Sequence, residues 1–242
     1  MFVLFLIVLI DLIGFGLVPD RPVILRLAPH LGPGGAPLRV LLLGAHADDI
    51  EIGCGGAVLR LLAEHPGADV RYVVFSASPV RADEARRAAA ELAAGAARLT
   101  VDIHGFRDSF LPWDQPVRLK DTLAELRRSF DPDLVFTHHR ADLHQDHALI
   151  AQLTWTAFRD HLILEYEIPK YEGDLGHPNV YVPLDEAVAR RKIDLILRHY
   201  ATQAGKGWFR AETFEAVLRL RGIECNAPSG WAEAFHGRKI LL

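Results

Sequence analysis

Cysteine is nearly absent: Cys54 and Cys225 are the two in 242 residues, which excludes a disulfide framework. A basic stripe with interleaved aromatics is also missing, and a formal net charge of -4 gives no general attraction to nucleic acid. The chain has no internal repeat, no low-complexity tract beyond one linker, and no second long apolar run after its first eighteen residues. Gly44, Gly53, Gly55 and Gly56 do not make a G-x-G-x-x-G spacing, and the acidic residues among them would repel a pyrophosphate. Both points disfavour a nucleotide-binding Rossmann module. What is present, 50% hydrophobic and 24% charged residues, suits one globular α/β domain with a well-buried core.

Met1 to Val18 is apolar except for Asp11 and is just long enough to cross a bilayer. It lacks the basic start and small-residue cleavage site of a secretory signal, so it reads as a membrane anchor or an appended segment. If it inserts, Arg21 and Arg26 on its carboxyl side place the following domain in the cytoplasm, at the inner face of the membrane. Residues 19–37 read as a Pro/Gly-rich linker, with His30 a solvated loop residue, and residues 38–242 as the folded domain.

Within that domain, short apolar runs alternate with helical patterns. Strands are expected at 39–43, 70–75, 101–106 and 133–137, and helices at 57–64, 82–94, 119–130 and 149–159. That alternation predicts βαβ units and an α/β fold: a Rossmann-like, mostly parallel sheet flanked by helices. Past His161 the pattern changes. LILEYEIP and NVYVPL alternate as strands, 185–199 is helical, and AEAFHGRKILL closes as a strand, adding strands in the C-terminal third.

Two polar clusters each follow a strand. His46, Asp48 and Asp49 leave the first strand, and His138, His139, Asp142, His144, Asp146 and His147 leave the one ending at Thr137. In a parallel sheet both reach one rim, the edge where ligands bind. Imidazole nitrogen and carboxylate oxygen are zinc ligands, and three of them leave the open position of a catalytic site. Taken singly, each residue has a plainer explanation: His46 as a satisfied histidine at a strand end, Asp48 or Asp49 as a helix N-cap. Cys54, at an expected helix start, is read as a small residue packed in a glycine turn rather than a nucleophile. His46, Asp48 and His147 also spell the two-histidine, one-carboxylate triad of non-haem iron oxygenases, whose scaffold is not an alternating α/β chain.

The strings AHADDIEIGCGG and HHRADLHQDH resemble the paired signatures A-H-P-D-D-x-E-x-x-x-G-G and H-x-D-H of the PIG-L/LmbE-like zinc-dependent N-deacetylases. The resemblance runs from Arg39 to the carboxyl end, with Ala47 standing where that family usually has proline. It implies an LmbE-like fold and one Zn2+ per chain, held by His46, Asp49 and His147. It implies Asp48 as general base, and His144 with Asp146 as a second catalytic pair. Arg81, with Glu84, matches an R-x-x-E contact to sugar, and Asp108 matches a substrate-facing aspartate; both are candidate substrate-binding residues. The implied substrate is a small-molecule amino-sugar conjugate of N-acetylglucosamine type, hydrolysed to acetate and a free amine.

That assignment is chemically coherent. Zinc lowers the pKa of water from 15.7 to about 7, and a neighbouring uncoordinated carboxylate can take the proton. The tetrahedral oxyanion needs positive charge or donors, which a protonated His144 would add, while Asp146 would hold an imidazole in place. The alternatives are a zinc amidase acting on another amide, or a binding module without catalysis. His138, His139 and Asp142 are expected to shape the loop, with Asp142 positioning the ligand segment. Trp113, Trp208 and Trp231 fit either a sugar cleft or core packing.

Overall fold

The computed structural model describes residues 37–239; the apolar run 1–18 and the linker up to residue 36 lie outside the described residues. Among the described residues no helix is long and apolar enough to cross a membrane. The strand β1 (Arg39–His46) is buried along almost its whole length, as a strand covered by helices on both faces must be. It pairs in parallel with β2 (Asp69–Ser76) on one side and β4 (Leu134–His138) on the other. β3 (Arg98–Ile103) adds outside β2, and β5 (Leu162–Tyr166) outside β4, both in parallel. β7 (Ala232–Gly237) then runs antiparallel to β5, and β6 (Val180–Pro183) antiparallel to β7. The order is β3-β2-β1-β4-β5-β7-β6, the mostly parallel sheet with added C-terminal strands that the sequence predicts.

Alternate residues of β1 feed two cores. Val40 and Leu42 pack with α1 (Asp49–Glu64), α2 (Pro79–Leu92), α5 (Glu186–His199) and α6 (Ala211–Glu224), through Val58, Leu92, Ile196 and Leu218 among others. Leu41 and Leu43 pack on the other face with α3 (Pro116–Ser129) and α4 (Gln145–Ala157), through Leu119, Leu123 and Ile150. The sheet is thus the middle of three layers, and only its strand ends are free to carry polar chemistry.

Several boundaries differ from the expected ones: β1 runs on to His46, and α2 and α3 each begin three residues early, at Pro79 and Pro116. The helix expected from Ala57 begins at Asp49, so Gly53, Cys54, Gly55 and Gly56 lie inside α1 rather than in a turn. The reason is tertiary: a Cβ on Gly53 would fall 2.1 Å from Tyr166 Cδ2, and one on Gly56 2.5 Å from Leu184 Cδ1. Glycine is disfavoured in helices, but here it lets α1 lie directly on β5 and on the segment leading to α5. Cys54 is fully buried and its thiol is pushed up by burial, which agrees with a packed small residue but not with a turn. β3 begins three residues earlier than expected, α4 begins at Gln145 and so takes Asp146 and His147 into its first turn, and α6 was not anticipated.

Gly53→Ala should therefore destabilise the fold by about 1 to 3 kcal/mol, the usual cost of overpacking. The control is Gly67→Ala, where an added Cβ meets nothing within 4 Å. Denaturant midpoints that are equal for the two variants would show that α1 does not press on Tyr166.

Candidate metal centre

From β1 the chain winds outward to β2 and β3, and from β4 it winds the other way, so a crevice opens between the carboxyl ends of β1 and β4. β1 delivers His46 as its last residue, and the turn into α1 delivers Asp48 and Asp49. β4 ends on His138; the following loop and the first turn of α4 deliver Asp142, His144, Asp146 and His147. The two sequence clusters meet there.

Asp48 has a φ of 105°, a left-handed backbone that a non-glycine residue holds at a cost of about 1 to 3 kcal/mol. Arg81, in the first turn of α2, steadies it: its guanidinium donates to Asp48 Oδ1 at 2.7 Å and to the Ala47 carbonyl oxygen. Alanine in place of proline therefore leaves no loose turn. Asp48 sits at the N-cap of α1, yet its side chain caps no amide, so helix capping does not explain it. The Asp49 carboxylate is fixed separately, Oδ2 accepting from the His46 amide at 2.7 Å.

His46 Nδ1, His147 Nε2 and the Asp49 carboxylate surround one point. The nitrogens are 3.2 Å apart, His46 Nδ1 is 3.5 Å from Asp49 Oδ2, and His147 Nε2 is 3.6 Å from Asp49 Oδ1. Tetrahedral ligands at about 2.0 to 2.1 Å from zinc stand roughly 3.3 to 3.4 Å from one another, so the spacing fits such an ion. Hydrogen bonding orients the lone pairs. His147 Nδ1 lies 3.0 Å from Asp142 Oδ2 and His46 Nε2 lies 3.1 Å from Asp146 Oδ2. Ionised carboxylates only accept, so those ring nitrogens carry the protons and the other two direct lone pairs at each other, an arrangement that a cation between them stabilises.

Burial alone would lower His46, but Asp108, Asp146 and Asp49 around it drive its pKa well above the usual value, so a cation taken up at Nδ1 has to displace a proton there. Burial opposes the charge on Asp49, and His147 and His138 outweigh it, leaving Asp49 well below the usual carboxylate range. Burial, assisted by His138, lowers His147 to about 4, which keeps its Nε2 lone pair available. Burial also pushes Asp48 up to about 7 against the pull of Arg81, a value suited to taking a proton near neutrality.

Other donor sets come close: His46 with His144 and His147, Asp49 with His138 and His147, and His46 with Asp108 and Asp146. His138 is the least free, since its Nε2 accepts from the Ala45 amide at 2.9 Å. Its ring stacks on His147 with centroids 4.0 Å apart, so it backs that imidazole. His144 lies over the cluster, its ring 4.4 Å from that of His147 and 4.9 Å from that of His46. Burial, and then the charge on His46, lower its pKa.

The side chains of His144 and Asp146 do not pair with each other. Asp146 accepts from the Ser109 and Leu111 amides and sits on His46, so the imidazole it holds is that of His46. His144 Nδ1 accepts from the Asp146 amide at 3.3 Å, which leaves Nε2 to carry the proton. Asp142 Oδ2 lies 3.0 Å from His147 Nδ1 and so fixes that ring. His139 turns away to Glu165, at 2.7 Å.

Asp108 joins the cluster from the β3–α3 loop, Oδ1 3.3 Å from His46 Nε2, with its side chain 65% exposed and open to a ligand. Glu84 does not face the crevice: it is buried and accepts from the Thr202 amide at 2.9 Å and hydroxyl at 2.6 Å. Trp231 belongs to the core and Trp208 packs against it, whereas Trp113 is 68% exposed. Two supporting residues have no role assigned from the sequence, although Glu51 falls on the E of the first signature and only Lys170 lies outside both motifs. Glu51 is buried, accepts from the Tyr72 and Tyr200 hydroxyls, and is raised by burial to about 7. Lys170, from the loop after β5, reaches Asp142.

A three-donor centre at the switch point of an open α/β sheet, with an uncoordinated carboxylate beside it, is the layout of a hydrolytic enzyme. The particular family follows from comparison with known proteins. The profile described as PIG-L, GlcNAc-PI de-N-acetylase, matches residues 41–158, which include every residue of the cluster. YaiS, an uncharacterised deacetylase of Escherichia coli K12, is 30% identical over 138 residues, spanning 54% of this chain and 74% of that one. The chain belongs to the PIG-L/LmbE-like family of deacetylases, hydrolases of amide bonds.

Solved structures share the fold. The N,N'-diacetylchitobiose deacetylase of Pyrococcus horikoshii superposes with a TM-score of 0.63 at 21% identity, covering 83% of each chain. GalB of Pseudomonas putida KT2440, a 4-carboxy-2-hydroxymuconate hydratase, superposes with a TM-score of 0.67 at 19% identity, covering 85% of this chain and 98% of that one. One scaffold therefore carries both an amide hydrolase and a hydratase, and the site rather than the fold must decide between them.

Proposed function

We propose that this enzyme is a zinc-dependent hydrolase that removes the acetyl group from an N-acetylglucosamine-type conjugate, giving acetate and a free amine. The observation that carries the reading is the pair of imidazole lone pairs and the Asp49 carboxylate converging on one point, with Asp48 outside the ligand set beside it. The sugar comes from the family and from relatives such as the chitobiose deacetylase, and the hydrolysis from the site. A zinc ion held by His46, Asp49 and His147 would supply a Lewis acid and water of lowered pKa.

The chain's own residues perform the proton transfers and the positioning. Asp48 takes the proton as water oxygen attacks the amide carbonyl, and Arg81 keeps its carboxylate aimed despite the strained backbone. His144, its Nδ1 occupied by the Asp146 amide, presents Nε2–H as a donor to the developing oxyanion and can do so as a neutral imidazole. The leaving amine receives its proton from Asp48 or from His144. Asp108 and Arg81 line the approach, where they can hydrogen-bond ring hydroxyls; the buried Arg81 Nε has no partner among the described residues.

The test is mass spectrometry of a small panel of N-acetylglucosamine conjugates incubated with metal-replete protein, alongside Arg81→Ala. Loss of one acetyl group from at least one conjugate is expected. Loss of a buried hydrogen bond should cost the Arg81 variant about 1 to 3 kcal/mol in kcat/KM. No acetyl loss from any of them would leave another amide, or binding alone, as the function.

A further inference from the structure

Besides Glu51, the cluster has a support that none of the expected roles accounts for. Lys170 lies on the loop between β5 and β6, and its side chain is 9% exposed. Its ammonium is 3.0 Å from Asp142 Oδ2 and 2.6 and 2.7 Å from the two oxygens of Asp174. Asp142 Oδ2 is also the oxygen that accepts from His147 Nδ1 at 3.0 Å. Asp142 Oδ1 meanwhile accepts from the His144 amide at 2.8 Å, so both oxygens of this buried carboxylate are engaged. The order Lys170, Asp142, His147 Nδ1, His147 Nε2 is thus a continuous chain from a buried ammonium to a lone pair aimed at the metal point.

We propose that Lys170 is a positioning residue for the metal ligand His147, acting through Asp142, and not merely a fastening for its own loop. It rests on the reading of His46, Asp49 and His147 as the metal-holding set. The physical case is that a carboxylate behind a ligating histidine fixes the ring's tautomer and direction only if the carboxylate is itself held. Asp142 is 2% exposed, so water does little to stabilise its charge, and the ammonium does that instead. A fastening alone needs only Asp174, which binds Lys170 more closely and also accepts from the Leu143 amide at 2.6 Å.

The two roles separate experimentally. Zinc affinity is measured by competition with a chromogenic chelator on the full chain, for wild type, Lys170→Met, Lys170→Arg and Asp174→Asn, with thermal melts of each. Lys170→Met is expected to weaken zinc binding about 10-fold or more, within the range for lost outer-shell partners. Lys170→Arg should restore most of it, and Asp174→Asn should change it less than about 3-fold while still lowering the melting temperature. Wild-type affinity in Lys170→Met, or an equal loss in Asp174→Asn, would overturn the proposal and leave a loop fastening. If Lys170→Met does not fold, Lys170→Gln, which keeps a hydrogen-bond donor but not the charge, takes its place: a loss well beyond that of Asp174→Asn supports the proposal, and wild-type affinity or an equal loss overturns it. A wild-type protein that binds no zinc would instead overturn the metal assignment on which the proposal rests.

Discussion

Asp48→Asn is expected to lower kcat by about 10² to 10⁴-fold while the protein keeps its full metal content. The amide preserves the shape of the side chain, and asparagine tolerates the left-handed backbone that Asp48 adopts with φ of 105°. It cannot accept a proton from water, and it gives up the ion pair with Arg81. Metal content should not follow activity, because the three converging donors belong to His46, Asp49 and His147. Steady-state rates and metal analysis of the same preparation check both halves. Turnover at the wild-type rate would move the general base elsewhere, with His144 the next candidate.

His147→Ala is expected to remove most of the metal. Two ligands rarely hold zinc, and the loss should exceed the roughly 100-fold that marks the upper end for an outer-shell partner. The substitution also leaves the buried Asp142 facing a cavity where an imidazole was, so its charge loses a partner as well. Metal analysis after dialysis, with circular dichroism to show that the fold survives, is the measurement. Full occupancy in this variant would sink the assignment and turn attention to the neighbouring donors His144 and His138.

The layout of the sheet was readable because its strands are apolar runs separated by helical stretches, and the central parallel order follows from that alternation. The rim on which the site lies was readable for the same reason: His46 and His138 directly end two such runs. What could not be read was set by contacts distant in sequence. Gly53 and Gly56 look like turn residues because helix propensity opposes them, and only Tyr166 and Leu184 explain why they are helical. The association of Asp146 with His46 rather than with His144 depends on the Ser109 and Leu111 amides of another loop. Glu84 looked like a partner of Arg81 in sugar binding, three residues along one helix, but it faces Thr202. Lys170 had no signal at all, since a lone lysine after a strand reads as solvated.

The glycines of α1 also bear on the order in which the molecule acquires its chemistry. Three of them in its first half, at roughly 1 kcal/mol each relative to alanine, make that half a poor autonomous helix. It is held by groups that come much later in the chain: Glu233 accepts from the Gly56 and Ala57 amides at 2.8 and 2.6 Å, and Lys192 donates to the Ile52 carbonyl at 2.6 Å. Loop closure over such separations is slow compared with local helix formation. The turn carrying Asp48 and Asp49 is therefore expected to settle late in folding, once Lys192 and Glu233 of the C-terminal third are in place.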